Sequence, residues 1–168
     1  LVVGSRGVPV KQQERGLFYM GRRLPGFLHG ANDARGNGQQ LAESAAVEFV
    51  HNRISQIMLT EVWYRDNMPP FKADLEDGTL YDIPADRDIV SDFRALKVIK
   101  GVARIPETKT TGQDGGKRHG DAGIAAALAA FATRQEVEII DYHRVEPNKD
   151  YGRTIKPGAG WRTNKGVW

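Results

Sequence analysis

The stretch GFLHGANDARGNGQQLAESAAVEFVHNRISQIMLT, Gly26 to Thr60, decides the fold class. Its opening residues predict a short strand, Phe27 to Asn32, that delivers Asp33 at its C-terminal end. ARGNG is a tight turn in which Gly36 and Gly38 let the backbone bend away from that carboxylate. QQLAESAAVEFVH predicts a helix with Leu41, Ala45 and Phe49 on its inner face. ISQIMLT predicts a second strand, and its apolar Ile54, Ile57, Met58 and Leu59 suit burial on both faces. Strand, turn, helix, strand is the pattern of an α/β sheet with helices on its faces.

The same alternation continues outward. Leu1 to Val8 predicts the end of a strand, closed by Gly7 and Pro9. Pro9 suits the first turn of a helix that carries Val10, Leu17, Phe18, Met20 and Leu24 and stops at LPG. Beyond Thr60, YRDNMPPFKADLEDG predicts a helix interrupted at Pro69 and Pro70. TLYDIP predicts a short strand, and ADRDIVSDFRALKVI an amphipathic helix with Ile89, Phe93, Leu96 and Ile99 inward. VARIP predicts another short strand, ETKTTGQDGGK a polar loop, and KRHGDAGIAAALAAFA an alanine-rich helix that closes the domain. LVV opens without methionine and has the character of a strand already under way, so upstream sequence is expected.

With 168 residues and 40% hydrophobic side chains, the chain is long enough for one domain with a real core. It has no cysteine, which removes disulfides and thiolate metal sites and suits a reducing compartment. No apolar run is long enough to span a membrane, and no signal peptide is visible. The net charge of +3 is unevenly placed: residues 143–168 carry +4 and the rest carries −1. The expected organisation is a domain at 1–136 followed by a basic, Gly- and Pro-containing tail at 137–168, which can meet phosphates or simply be a solvated end.

Three carboxylates are candidates for chemistry. Asp33, at a strand end before a glycine-rich turn, occupies the place where open α/β sheets put ligands. It equally suits an Asx-turn or an N-cap. Asp121 starts the alanine-rich helix, where a carboxylate caps the backbone and complements the helix dipole. Only Ile124, Leu128 and Phe131 are large in that helix, so it can pack closely and hold its first turn firmly enough for a metal ligand. Glu61 follows the strand ISQIMLT and is either a third ligand or a surface side chain paired with Arg65. Oxygen ligands of this kind suit Mg2+ or Mn2+ and, with two ions, phosphodiester hydrolysis. Arg35, Arg118 and His119 lie beside these carboxylates and suit contact with a phosphate. GQDGGKR is no phosphate-binding P-loop, because its glycines are too close and Lys117 precedes Arg118 in place of Ser or Thr. The four histidines have no zinc spacing. Trp63 and Tyr64 suit core packing or stacking on a base.

Three segments together, GANDARGNGQQLAE, MLTEVWYRDNMPPFKADLEDGTLYDIPADRDIVSDFRALKVIKGVARIPE and KRHGDAGIAAALAAFA, resemble the C-terminal nuclease domain of the large terminase subunit of Mu-like bacteriophages and prophages. The resemblance covers most of residues 1–135. It implies a ribonuclease H-like fold with a mixed central sheet flanked by helices. It also implies a Mg2+- or Mn2+-dependent endonuclease that cuts double-stranded phage DNA during head packaging. The implied partners are DNA, the portal protein and the small terminase subunit, in the cytoplasm of a bacterial host, with no membrane. Asp33 and Asp121 match two members of the family's acidic cluster. The family's first-strand aspartate, in a GxDxGR-like segment, has no counterpart here, and the resemblance places that strand and the ATPase domain before Leu1. An alternative follows from the tail: a non-catalytic remnant that binds DNA or a packaging partner through residues 143–168. A resolvase- or transposase-like enzyme shares the implied fold but has no segment in its favour.

Overall fold

The computed structural model describes residues 7–106 and 120–136, together with the backbone of 110–111 and 117–118. The expected first strand, apart from Gly7 and Val8, and the tail lie outside the described residues. Helix α1 is Val10–Arg23. Pro9 precedes it, and its carbonyl accepts the N–H groups of Gln12 and Gln13, as a proline at a helix entrance should. Strand β1 is Gly30–Asp33, helix α2 is Gly38–Glu48, and strand β2 is Ile54–Ile57 after a 3-10 turn at His51–Arg53. β1 and β2 pair in parallel, with Gly30 opposite Ile54 and Asp33 opposite Ile57. The Ala34 N–H extends the ladder to the Ile57 carbonyl at 2.8 Å.

The first strand begins three residues later than the pattern predicts. Phe27 is drawn out of the strand into an aromatic cluster, 5.2 Å from Phe49, which also meets Phe18 at 5.8 Å. This cluster, with Ala45, Ala46 and Ile54, joins α1 to the parallel pair. Gly21 makes the approach possible: a β-carbon there would fall 2.4 Å from the Phe49 ring. The second strand is covered on one face more than the other. Ile54 and Ile57 are buried, but Gln56 and Met58 are exposed.

Helix α3, Glu61–Glu76, runs unbroken through Pro69 and Pro70, where an interruption was expected. Each proline leaves the carbonyl four residues back without its helical donor. Those carbonyls belong to Arg65 and Asp66, both exposed residues, where solvent can supply the missing donors. Meanwhile Trp63, Tyr64, Met68 and Phe71 hold the other face in the core. TLYDIP forms no strand: it is irregular, with Tyr81 largely in solvent and Asp82 at φ 57°.

Helix α4 is Arg87–Arg94, and Asp86 caps it by accepting the Asp88 and Ile89 N–H groups. The expected continuation to Ile99 fails. Lys97–Ile99 is strand β3, antiparallel to β4, Val102–Arg104, with Ile99 opposite Val102. The two residues between, Lys100 and Gly101, have φ of 51° and 80°. Positive φ at both central residues is the geometry of a tight two-residue hairpin, and it is incompatible with a helix. Two-residue strands β5, Thr110–Thr111, and β6, Lys117–Arg118, pair antiparallel. Helix α5, Asp121–Thr133, ends the described chain and lies against β1, α3 and α4.

The architecture of the described residues is therefore α/β, with five α-helices and both parallel and antiparallel pairs. Among the described residues these pairs form three two-stranded sheets and not one mixed sheet. The main core combines Ile57 and Leu59 with Trp63, Met68 and Phe71 of α3, Val102 of β4, and Ala127, Leu128 and Ala130 of α5.

Candidate active site in an acidic cleft

The C-terminal end of β1, the start of α3, the end of β4 and the first turns of α5 surround a cleft of about 770 Å³. Asp33, Glu61 and Asp121, far apart in sequence, all line it, with Arg35, Tyr64 and Arg104.

Asp33 is the last residue of β1. Its Oδ1 accepts the Arg35 backbone N–H at 3.0 Å, so the Asx-turn suggested by its sequence context forms. The turn does not remove the carboxylate from the cleft, since the side chain stays about one-third exposed. The start of α2 presses against the same corner: a β-carbon on Gly38 would fall 2.4 Å from the Asp33 carbonyl oxygen.

Arg35, expected to meet DNA, is anchored on protein. Its Nε lies 3.3 Å from Asp33 Oδ1, its Nη1 donates to the Leu59 carbonyl at 3.1 Å, and it also hydrogen-bonds the Tyr64 hydroxyl. One guanidinium thus ties the ends of β1 and β2 to α3. Burial raises the Tyr64 pKa, Arg35 opposes that by charge and hydrogen bond, Asp33 reinforces it, and Arg104 weakly opposes it. The net shift is upward, so the phenol is neutral at physiological pH.

Glu61 is the first residue of α3 and not the end of a strand, because β2 stops at Ile57 and Thr60 is the N-cap. Thr60 Oγ1 accepts the Trp63 N–H at 3.2 Å, which frees the exposed Glu61 carboxylate from capping. Arg65 turns to Asp66, at 3.3 Å.

Asp121 is relieved of capping in a different way. The N-cap of α5 is Gly120, left-handed at φ 72°, with no side chain to offer. The Ala122 N–H instead donates to Oδ2 of Asp92, 30 positions earlier on α4, at 3.0 Å. Asp92 is fully buried. No motif in the sequence singles it out, yet a signal is present: in α4 it falls on the stripe of Ile89, Phe93 and Leu96, where an acid needs a reason to be. With Asp92 as acceptor, exposed Asp121 sits at the helix entrance and faces the cleft. Arg118 contributes backbone to β6, and His119 lies outside the described residues.

The donor set, carboxylate oxygens only, suits a hard divalent cation. Its spacing is open: among the described residues, no three of His, Cys, Asp and Glu lie close enough together to surround an ion. The cleft offers ligands along its walls and not a closed cage.

Two phage-derived proteins resemble this chain. The Mu-like prophage FluMu protein gp28 of Haemophilus influenzae is 35% identical over 143 residues, covering 83% of the chain and 28% of that protein. The probable terminase, large subunit gp28, of Escherichia phage Mu is 34% identical over 145 residues, covering 86% and 26%. The chain therefore spans about a quarter of the length of the curated relatives it matches. No family model matches it, and no solved structure does. Among the described residues no helix is long and apolar enough to cross a membrane.

Proposed function

We propose that this chain works in phage DNA packaging, as part of a terminase large subunit, and that its cleft belongs to a metal-dependent endonuclease site. The reading is carried by one observation: Asp33, Glu61 and Asp121 line a single cleft, in a chain similar to a probable terminase large subunit. Asp33 and Asp121 would hold Mg2+ or Mn2+, with Glu61 assigned to the same cleft as a catalytic carboxylate. When bound there, the ion would supply Lewis acidity toward a phosphodiester and would lower the pKa of a water. Arg35 keeps the Asp33 carboxylate aimed into the cleft, and neutral Tyr64 holds Arg35 in turn. Arg118 and His119 are assigned to contact with DNA. A ribonuclease H-like sheet, and docking to a portal protein and a small terminase subunit, belong to the same proposal.

The test is nicking of supercoiled plasmid with Mg2+ or Mn2+. It compares this chain, a version extended by the upstream coding sequence, and Asp33→Ala and Asp121→Ala in each. The extended version is expected to nick, and each substitution to reduce the rate by about a hundredfold or more, the top of the range for losing a group that only orients a ligand. Nicking that survives both substitutions would overturn the site.

The open spacing of the carboxylates favours a second reading, a non-catalytic segment that holds DNA through the basic residues after His143. That reading expects salt-sensitive, metal-independent binding that disappears when 143–168 are removed.

A further inference from the structure

We infer that Arg104 is the phosphate-binding cation of the cleft and that it grips the nucleic-acid backbone directly. The inference rests on the proposed reading of the cleft and assigns its substrate contact to one residue. Among the described residues two arginines line the cleft, and their circumstances differ. Arg35 is held by Asp33, the Leu59 carbonyl and the Tyr64 hydroxyl. Its donors position protein groups, so it acts on the substrate through Asp33.

Arg104 is the last residue of β4 and is half-buried. Its charge is felt at Tyr64, which places it electrostatically within the cleft. Its backbone pairs with Lys97 in the β3–β4 ladder, and among the described residues its side chain makes no ion pair or hydrogen bond. A half-buried guanidinium without an anionic partner bears a desolvation cost that nothing among the described residues offsets. The fork of five N–H donors matches two oxygens of a phosphate. Asp33, the carboxylate that could have paired with it, is engaged by Arg35. The cleft thus keeps one cation committed and one available.

The available cation also answers an electrostatic problem. Three carboxylates repel an anionic backbone unless a divalent cation lies between them. Arg104 provides a second, metal-free attachment on the β4 wall. A phosphate bound there is anchored while the carboxylates and their ion act on the strand beside it.

The experiment uses the full 168-residue chain and a fluorescent 20-base-pair duplex in Ca2+, read by polarisation over a range of salt concentrations. Arg104→Gln is expected to weaken binding about tenfold and to lower the slope of log affinity against log salt by about 1, the signature of one lost phosphate contact. Arg104→Lys is expected to keep the slope and to recover only part of the affinity. Arg35→Gln is expected to lower the melting temperature and to leave the slope unchanged. Inorganic phosphate as competitor separates the backbone contact from a free-phosphate site: protection of the duplex complex against millimolar phosphate supports the backbone, and full displacement overturns it. If Arg104→Gln and Arg104→Lys both bind like the parent while Ca2+-dependent binding is lost in Asp33→Asn, the Arg104 assignment fails and the cleft reading stands. If binding ignores Ca2+ and vanishes only on removal of 143–168, both fail.

Discussion

Asp92 is the residue on which the acidic cleft depends most indirectly. Its buried carboxylate accepts the Ala122 N–H and so fixes the entrance of α5, where Asp121 sits. Removing that acceptor leaves a part-buried helix N-terminus with an unsatisfied donor, a loss of about 1–3 kcal/mol. Asp92→Ala is therefore expected to lower the urea midpoint and to impair any Asp121-dependent activity, whereas Asp121→Ala is expected to leave the midpoint nearly unchanged. If Asp121→Ala proves the more destabilising, the division of labour between the two acids is wrong. This division was only half legible in the sequence. A carboxylate in front of an alanine-rich run suits a cap, and nothing local says that the cap arrives from another helix. The apolar stripe of α4 did carry the missing signal. Gly21 is similar: its need for a bare α-carbon comes from Phe49, 28 positions away, so no window around it could reveal it.

At the scale of elements, the sequence was most readable where period and caps agreed. α1, α2 and α5 begin and end close to where apolar spacing, Pro9, the ARGNG turn and Asp121 put them. It was least readable at α4. Helical spacing runs on through Leu96 and Ile99, but Lys100-Gly101 turns the chain back as a hairpin. A two-residue turn before glycine was the available clue, and lysine in its first position obscured it. Lysine bears the cost of a left-handed conformation that asparagine tolerates better. Lys100→Asn is expected to stabilise the protein by about 0.5–1 kcal/mol in chemical denaturation. The parallel pair carries a pH dependence. Burial depresses the His29 pKa below its ordinary 6.5, opposed by a backbone contact from Asn52, and its Nε2 lies 2.8 Å from Ser55 Oγ on β2. A depressed histidine leaves the fold at full stability above the unfolded pKa. Stability then falls as pH drops below about 6.5, because protonation favours the unfolded chain. Thermal melts between pH 7.5 and 5 are expected to show that fall, and His29→Gln to flatten it.

Over the whole molecule, alternation of strand and helix was enough to give an α/β class, but not which strands meet. Pairing depends on partners distant in the chain. Of the described strands, only β1 and β2 are joined through a helix, while β3–β4 and β5–β6 are local pairs. The cleft inherits this breadth, drawing on side chains from position 33 to position 121. A cation held by Asp33 and Asp121 would bind the folded chain and not the unfolded one. At a hundred times its dissociation constant, Mn2+ is then expected to add about 2.7 kcal/mol of stability. Asp33→Asn with Asp121→Asn is expected to abolish that gain in calorimetry.

The packing behind the cleft has an optical consequence. Trp63 is buried, its indole N–H without a hydrogen-bond partner among the described residues, its ring 5.6 Å from that of Tyr64 and 6.0 Å from that of Phe131. Tyr64 reaches Arg35, and Arg35 reaches Asp33. A chromophore thus sits three contacts from the carboxylate, and its emission responds to any rearrangement of that chain of side chains. With Trp161 and Trp168 replaced by phenylalanine, the protein becomes its own unlabelled fluorimeter. Titration with Mn2+ or a short duplex is expected to shift the Trp63 emission, and Arg35→Gln to uncouple the signal from binding.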